Sequence, residues 1–154
     1  MILRTEGVSK IFGSLRALHN VDLEIVKGEV FGIAGPNGAG KSTFFNVVAG
    51  AFPPTKGRIL FDGHDITTLK SHQTCNLGLA RTFQVPQTFP TLTVYDNIRV
   101  GITFGTTRKT GLKNRIEKTL DFLDLNDVRD VMASNLDLYT TKLVMMAACL
   151  ATEC

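Results

Sequence analysis

Tryptophan is absent from the 154-residue chain, and tyrosine occurs only twice. Besides these, no basic run is interleaved with aromatic residues, so the chain offers little from which to build a stacking platform for single-stranded nucleic acid. An excess of one charge is also missing: 17 lysines and arginines against 14 acidic residues give a net charge of +3, and the basic residues form no block. We therefore expect no nucleic-acid partner.

Cysteine is scarce, and long hydrophobic runs are missing. The three cysteines, Cys75, Cys149 and Cys154, are odd in number and form no CxxC pair, which favours a reducing compartment and argues against a zinc site. The N-terminus, MILRTEGVSK, has no apolar core of a signal peptide. The longest apolar run, 143–151, is about half of what a membrane span needs. These features predict a chain that is neither secreted nor membrane-spanning by itself.

What is present is an ordinary globular composition, with 44% hydrophobic and 20% charged residues. A chain of this length can bury a hydrophobic core without disulfides or a structural metal. One domain is the default expectation.

Two strands are predicted ahead of a glycine-rich segment. Residues 19–25 (HNVDLEI) alternate apolar and acidic side chains, which is typical of a strand with one solvent-exposed face. Residues 29–34 are apolar nearly throughout, which predicts a strand buried on both faces of a partly parallel sheet. A helix should follow the glycine-rich segment and end near Gly50, where glycine and two prolines come close together.

The rest of the chain predicts short elements. Thr93 and Asp96 have the spacing of an N-terminal capping box, which predicts a helix from Val94 to about Phe104. Apolar residues recur at helical spacing from Leu112 to Leu123. The other expectations are strands at 57–63 and 79–83, a polar helix or loop at 68–76, a linker at 105–113 and a last helix at 141–151.

Residues 35–42 fit the pattern GxxxxGK[ST], between a predicted strand and a predicted helix. Glycines allow positive φ, so that successive backbone N–H groups can point inward and surround phosphate oxygens. Lys41 would reach the β- and γ-phosphates and Ser42 would bind Mg²⁺, while the helix presents its positive dipole end to the anion. The alternative is a glycine-rich turn that carries Lys-Ser by chance.

GPNGAGKST (35–43) is the form of this loop typical of ATP-binding-cassette (ABC) proteins. VSKIFG, PTKGRILFDGHDIT and GLARTFQVPQTFPTLTVYDNI also resemble the ATPase subunits of importers for branched-chain amino acids and for urea or amides. The resemblance implies an α/β fold, the P-loop NTPase fold of an ABC-type nucleotide-binding domain. It would be incomplete, with an antiparallel β region, the P-loop α/β core and part of the helical subdomain. Residues 1–92 would hold the β region, P-loop and Q-loop, and 93–154 the helical subdomain with an altered signature segment.

The same resemblance implies the ligands of the site. ATP would be bound by Phe12, Gly35, Pro36, Asn37, Gly38, Ala39, Gly40, Lys41, Ser42, Thr43 and Gln84, and Mg²⁺ by Ser42 and Gln84. Phe12 would stack on adenine; its alternative role is core packing. Gln84 would contact Mg²⁺ or the attacking water, and its alternative is an exposed loop glutamine. Residues 85–93 would dock a transmembrane subunit, unless Phe89 and the prolines only pack the loop.

The sequence departs from the family in two places. Hydrolysis needs a carboxylate for Mg²⁺ and a glutamate for water after a strand of the form hhhhDE, and no such segment is found. The nearest imitation ends at Asp62, which is followed by glycine and is expected in a turn. In the signature segment Asp137 replaces the family's serine and Tyr139 its glycine, and an ionised Asp137 would repel a phosphate.

The resulting expectation is an N-terminal portion of the ATP-binding component of an ABC importer for amino acids or related small polar solutes. Its partners would be transmembrane permease subunits and a second ABC ATPase subunit, on the cytoplasmic face of the cell membrane. The sequence favours ATP binding over hydrolysis by this chain alone. The alternative is a non-catalytic fragment or interaction module that docks on a permease or a full-length ATPase. A GTPase is disfavoured because no NKxD segment is found, and a small kinase because the sequence does not announce the lid residues that bind an acceptor.

Overall fold

The computed structural model describes residues 1–105 and 110–152. The chain divides into two compact units, Met1–Thr74 and Cys75–Cys154. The division lies earlier than the boundary between 92 and 93 that the family resemblance implied, so Gln84 belongs to the second unit. Within the described ranges, no helix combines the length and the hydrophobicity needed to cross a bilayer.

The first unit is built on a four-stranded antiparallel sheet in the order β2-β1-β3-β4. The strands are β1 (Leu3–Phe12), β2 (Leu15–Ile25), β3 (Lys56–Phe61) and β4 (His64–Asp65). β1 pairs with β2 on one side and with β3 on the other, and its register shifts between Thr5 and Val8. This sheet confirms the predicted antiparallel β region and the strand expectations at 19–25 and 57–63.

The predicted strand at 29–34 is wrong. No strand is assigned between Ile25 and Lys41, and Val30 is fully exposed. Val21, Leu23, Phe31, Ile33 and Phe44 line a cavity of about 360 Å³ there.

The physical reason is that an apolar run becomes a strand only when a neighbouring strand pairs with its backbone. Within the described residues, none of the paired strands has 29–34 as its partner. The turn that precedes the run does form, with Gly28 at a φ of 85° and the Glu29 amide donating to the Val26 carbonyl.

One helix lies within the first unit, and a second begins in it. α1 (Lys41–Val48) confirms the helix predicted after the glycine-rich loop. It buries Phe44, Val47 and Val48, and in the sheet Val8 and Ile59 are fully buried. α2 (Ser71–Asn76) crosses the division between the units, and its Thr74 hydroxyl donates to the Ala49 carbonyl at 3.0 Å.

The second unit is helical: α3 (Val94–Gly105), α4 (Leu112–Phe122) and α5 (Leu138–Leu150), with 3₁₀ turns at Asn126–Val128 and Ala133–Asn135. Its core is formed by buried aliphatic side chains from all three helices and the connections: Val94, Ile98, Ile102, Ile116, Leu120, Leu125, Val144, Ala147 and Ala151. The predicted amphipathic helix at Leu112–Leu123 is therefore confirmed. Of the predicted 105–113 linker, residues 106–109 lie outside the described residues.

Helix starts follow the capping chemistry. Thr93 Oγ1 accepts from the Asp96 amide at 3.1 Å, which confirms the predicted start of α3. α5 begins three residues before the expected Thr141, because Asp137 accepts from the Thr140 amide at 2.8 Å and caps the helix there.

The predicted strand at 79–83 is wrong: this segment is irregular, and the Phe83 amide points to the Met145 sulfur at 3.4 Å instead of to a neighbouring strand.

Candidate functional site: a glycine loop at a helix start

The segment 35–40 is a loop that its glycines make possible. Gly38 has a φ of 84° and Gly40 a φ of 85°, in the left-handed region that favours glycine. The Ala39 amide donates to the Pro36 carbonyl at 3.3 Å, which closes a tight turn between these residues. α1 begins immediately afterwards at Lys41. The loop therefore has the positive φ values and the following helix that the GxxxxGK[ST] pattern predicts.

At Gly40 the loop also lies close to the sheet. A Cβ added at Gly40 would overlap the Ala17 carbonyl oxygen of β2 and lie 3.0 Å from Leu18 Cδ2. At Gly38, with nearly the same φ, an added Cβ meets no atom within 4 Å. Gly40 is thus required both for its conformation and for the absence of a side chain.

Lys41 lies across the loop. Its ammonium donates to the carbonyl oxygens of Gly35 and Pro36, both at 2.6 Å. An ammonium has three N–H donors, so these two bonds leave one for another acceptor. The Lys41 ammonium is thus held in the same loop whose amide groups would bind an anion.

The start of α1 favours negative charge. Gly40 is its N-cap and supplies no side-chain acceptor, and the first turn contains no acidic residue. The first amides of a helix have no carbonyl partners within it, and the helix dipole adds positive potential there. Ser42 and Thr43 stand in this first turn, and Ser42 is exposed. The loop and the helix start therefore favour an anion over a cation at this place.

Phe12 lies at the end of β1 and is 43% exposed. This exposure argues against its alternative role in a hydrophobic core. The ring stands edge-to-face with Phe52, with 5.2 Å between centroids and 87° between the ring planes. Lys10 Nζ lies 5.1 Å from the centroid of each ring.

Sequence reasoning missed Lys10 and Phe52. Lys10 could have been found, since residues i and i+2 of a strand lie on one face and Lys10 precedes Phe12 by two positions. Phe52, forty residues later, gives no local signal.

Gln84 lies in the second unit, at an exposed bend. The segment before it is held against α5, because Cys149 Sγ donates to the Arg81 carbonyl at 3.3 Å. The Arg81 guanidinium lies 4.9 Å from the Phe83 ring centroid. The structure thus brings Phe12 and residues 35–43 into one unit and places Gln84 in the other.

In the altered signature segment, Asp137 uses its carboxylate within its own helix. Oδ1 accepts from the Thr140 amide at 2.8 Å and Oδ2 from the Thr140 hydroxyl at 3.1 Å. The Thr140 amide, then its hydroxyl, and to a smaller extent the Tyr139 amide lower the pKa of Asp137. The carboxylate is therefore ionised at neutral pH. Tyr139 is 72% exposed.

A family model described as "ABC transporter" matches residues 18–154 of the chain. A probable branched-chain amino acid transport ATP-binding protein of Archaeoglobus fulgidus is 35% identical over 95% of this chain and 62% of its own length. A protein of the same description from Methanocaldococcus jannaschii is 37% identical over 99% of this chain and 64% of its own length. The chain thus spans less than two thirds of the length of these curated relatives.

Solved structures give the same result for the fold. A nucleotide-free ATP-binding cassette from an ABC transporter is 35% identical, with a TM-score of 0.86 over 99% of this chain and 65% of the other. The ADP conformation of an ABC transporter cassette is 36% identical, with a TM-score of 0.84 over 99% of this chain and 65% of the other. A dimeric cassette bound to ADP and Pi is 25% identical, with a TM-score of 0.85 over 99% of this chain and 70% of the other.

Proposed function

The chain belongs to the ABC transporter family, and from that premise we propose that it is the ATP-binding component of an importer for amino acids or related small polar solutes. The observation that carries the proposal is the loop at 35–40. Two of its glycines have the left-handed backbone conformation, and the helix that follows has no acidic residue in its first turn. Such a loop favours bound phosphate over any uncharged ligand. The substrate class is supported by the two archaeal relatives, both described as branched-chain amino acid transport proteins.

Each part of the nucleotide is assigned to particular groups. Backbone amides within residues 35–43 bind the phosphates, and Lys41 contributes its ammonium. Pro36 has no N–H to offer, and the Ala39 amide already donates to the Pro36 carbonyl. Phe12 supplies an exposed aromatic ring for adenine. Mg²⁺ prefers oxygen ligands, which the Ser42 hydroxyl and the Gln84 amide can offer. Bound with ATP, the metal supplies charge neutralisation between phosphate oxygens.

The partners follow from the same premise. The chain docks on a transmembrane permease subunit through residues 85–93, at the cytoplasmic face of the membrane, and pairs with a second ABC ATPase subunit. Pairing is supported by the dimeric cassette among the similar structures. In the proposed docking segment, Val85 and Phe89 are exposed, by 69% and 52%.

Calorimetric titration of the 154-residue chain with MgATP tests the proposal. We expect binding that Lys41→Ala weakens by about tenfold or more, since it removes a charge-assisted contact to phosphate. Lys27→Ala, which removes an exposed lysine from the turn after β2, should leave the affinity unchanged. Equal affinities of the Lys41→Ala and Lys27→Ala variants would reject the loop as the nucleotide site.

A non-catalytic interaction module remains a second candidate, favoured by Asp137. By the family resemblance its carboxylate stands in place of a serine, and it caps α5 by accepting from the Thr140 amide. Steady-state phosphate release separates the two candidates, because an interaction module binds MgATP without turnover. Turnover by the chain at rates above about 1 s⁻¹ would exclude the second candidate.

A further inference from the structure

Lys10 lies between two aromatic rings at the end of β1. Its ammonium is 5.1 Å from the centroids of both Phe12 and Phe52, within the distance of a cation–π interaction. The same ammonium donates to the Pro53 carbonyl at 2.6 Å. Lys10, Phe12 and Phe52 are called the Lys10 cluster below.

The Lys10 cluster joins β1 to the segment that leaves the phosphate-loop helix. The Ile11 amide donates to the Thr55 hydroxyl at 3.0 Å, and the Thr55 amide donates to the Ser9 carbonyl at 2.8 Å. At the other end of the segment, the Ala51 amide donates to the Asn46 carbonyl of α1 at 2.9 Å. The chain from α1 to Thr55 is therefore fixed to the last residues of β1, where Phe12 stands.

An exposed phenylalanine at a strand end ordinarily has several side-chain rotamers, and a ligand that stacks on it must select one. Phe12 is held from two directions: the Phe52 ring stands at 87° to it, and the Lys10 ammonium is attracted to its π-system. Such prior orientation lowers the entropy cost of stacking.

We propose that Lys10 and Phe52 are positioning residues for the nucleobase: they hold the Phe12 ring so that adenine stacks on the side facing away from Lys10. The inference rests on the proposed function, since it assumes that Phe12 receives adenine. It adds two residues that act through Phe12, and it predicts that their effect depends on the base and not on the phosphates.

The test compares two ligands, MgATP and magnesium tripolyphosphate, by calorimetric titration of the full chain. We expect Lys10→Met and Phe52→Leu to weaken MgATP binding by about two- to fivefold, the range for an exposed cation–π contact. Both variants should bind tripolyphosphate as the unaltered chain does. Lys10→Arg keeps the cation and should retain the affinity for MgATP, whereas Lys27→Met is a matched lysine control outside the cluster.

A second series uses Phe12→Ala as its background. If Lys10 acts through the Phe12 ring, Lys10→Met has no further effect once the ring is removed. A persistent effect in that background, or an equal loss for both ligands, overturns the inference by showing direct phosphate contact or general damage to the fold. Unchanged MgATP affinity in both Lys10→Met and Phe52→Leu also overturns it. Failure of the unaltered chain to bind MgATP rejects the proposed function, and the inference with it.

Discussion

The side-chain amide of Asn97 binds both backbone polar groups of Phe89. Its Oδ1 accepts from the Phe89 amide at 2.7 Å, and its Nδ2 donates to the Phe89 carbonyl at 3.1 Å. The same Nδ2 also lies 3.2 Å from the Leu92 carbonyl and 2.9 Å from the Thr93 carbonyl. Asn97 is 4% exposed. One buried amide on α3 therefore fixes the loop that ends the proposed docking segment.

Asn97→Ala should lower the free energy of unfolding by about 1–3 kcal/mol, because it leaves the loop's amide and carbonyl groups without their buried partner. Asn97→Asp should do no better, since an ionised carboxylate has no N–H to donate to these carbonyls. Urea denaturation measures the effect. Asn114→Ala, on the exposed side of α4, is the control and should change stability by less than about 0.5 kcal/mol. Equal stability of the Asn97 and Asn114 variants would show that the loop does not depend on this amide.

Gly40→Ala and Gly38→Ala form a matched pair, since both glycines have a φ near 85°. The backbone cost of an alanine in this region is about 1–2 kcal/mol and should be common to both. Gly40→Ala should lose about 1–3 kcal/mol more, because its Cβ overlaps the Ala17 carbonyl while the Cβ at Gly38 meets open space. Urea denaturation of the two variants gives the difference. Equal losses would show that β2 gives way to the added methyl group.

The parts of the fold that the sequence predicted well are those set by local chemistry. Thr93 and Asp96 stand three residues apart, and the cap that this spacing implies is the one that forms. The glycine spacing at 35–40 likewise predicted the loop, because positive φ and a following helix are local requirements. The antiparallel strands at 19–25 and 57–63 followed from alternation and turn residues.

The errors concern structure that depends on distant partners. Residues 29–34 have the composition of a buried strand, but pairing is a property of two segments, and no described strand pairs with them. The earlier start of α5 is a different kind of error: Asp is a favoured N-cap residue, so Asp137 carries a local signal for this start that its charge alone does not reveal. Lys10 and Phe52 meet only after α1 and its following segment return to β1.

Asp137 should make stability depend on pH in acid. Its pKa lies below the ordinary value because Thr140 and Tyr139 donate to the carboxylate. A carboxyl group whose pKa is lowered by folding contributes stability above its unfolded pKa of about 3.9, and this contribution is lost as the pH falls through the folded pKa. Asp137→Ala should therefore be less stable than the unaltered chain at pH 7, and the difference should shrink below about pH 4.

Asp137→Ser is the control for charge, because a serine hydroxyl can still accept from the Thr140 amide. The measurement is thermal unfolding from pH 7 to pH 3. At pH 7 the stability of Asp137→Ser should lie between that of Asp137→Ala and that of the unaltered chain. A difference between Asp137→Ala and the unaltered chain that stays constant across this range would contradict a charged cap.

At Gly101, α3 passes close to the backbone of α5. A Cβ added at Gly101 would lie 2.5 Å from the Ala148 carbonyl oxygen and 3.1 Å from the Ala148 carbonyl carbon. Helix propensity alone predicts that Gly101→Ala raises stability by about 1 kcal/mol. The added methyl group would force α3 away from α5 or shift one helix along the other. Such overpacking costs about 1–3 kcal/mol, so we expect a net loss in the free energy of unfolding.

Two further variants make the Gly101 experiment decisive. Thr103→Ala changes an exposed residue of the same helix and should be close to neutral in urea denaturation. Ala148→Gly, combined with Gly101→Ala, should not restore stability, because the obstructing atoms belong to the α5 backbone and remain when the Ala148 methyl group is removed. A Gly101→Ala chain that is more stable than the unaltered one would mean that α3 and α5 are free to move apart without loss of core packing.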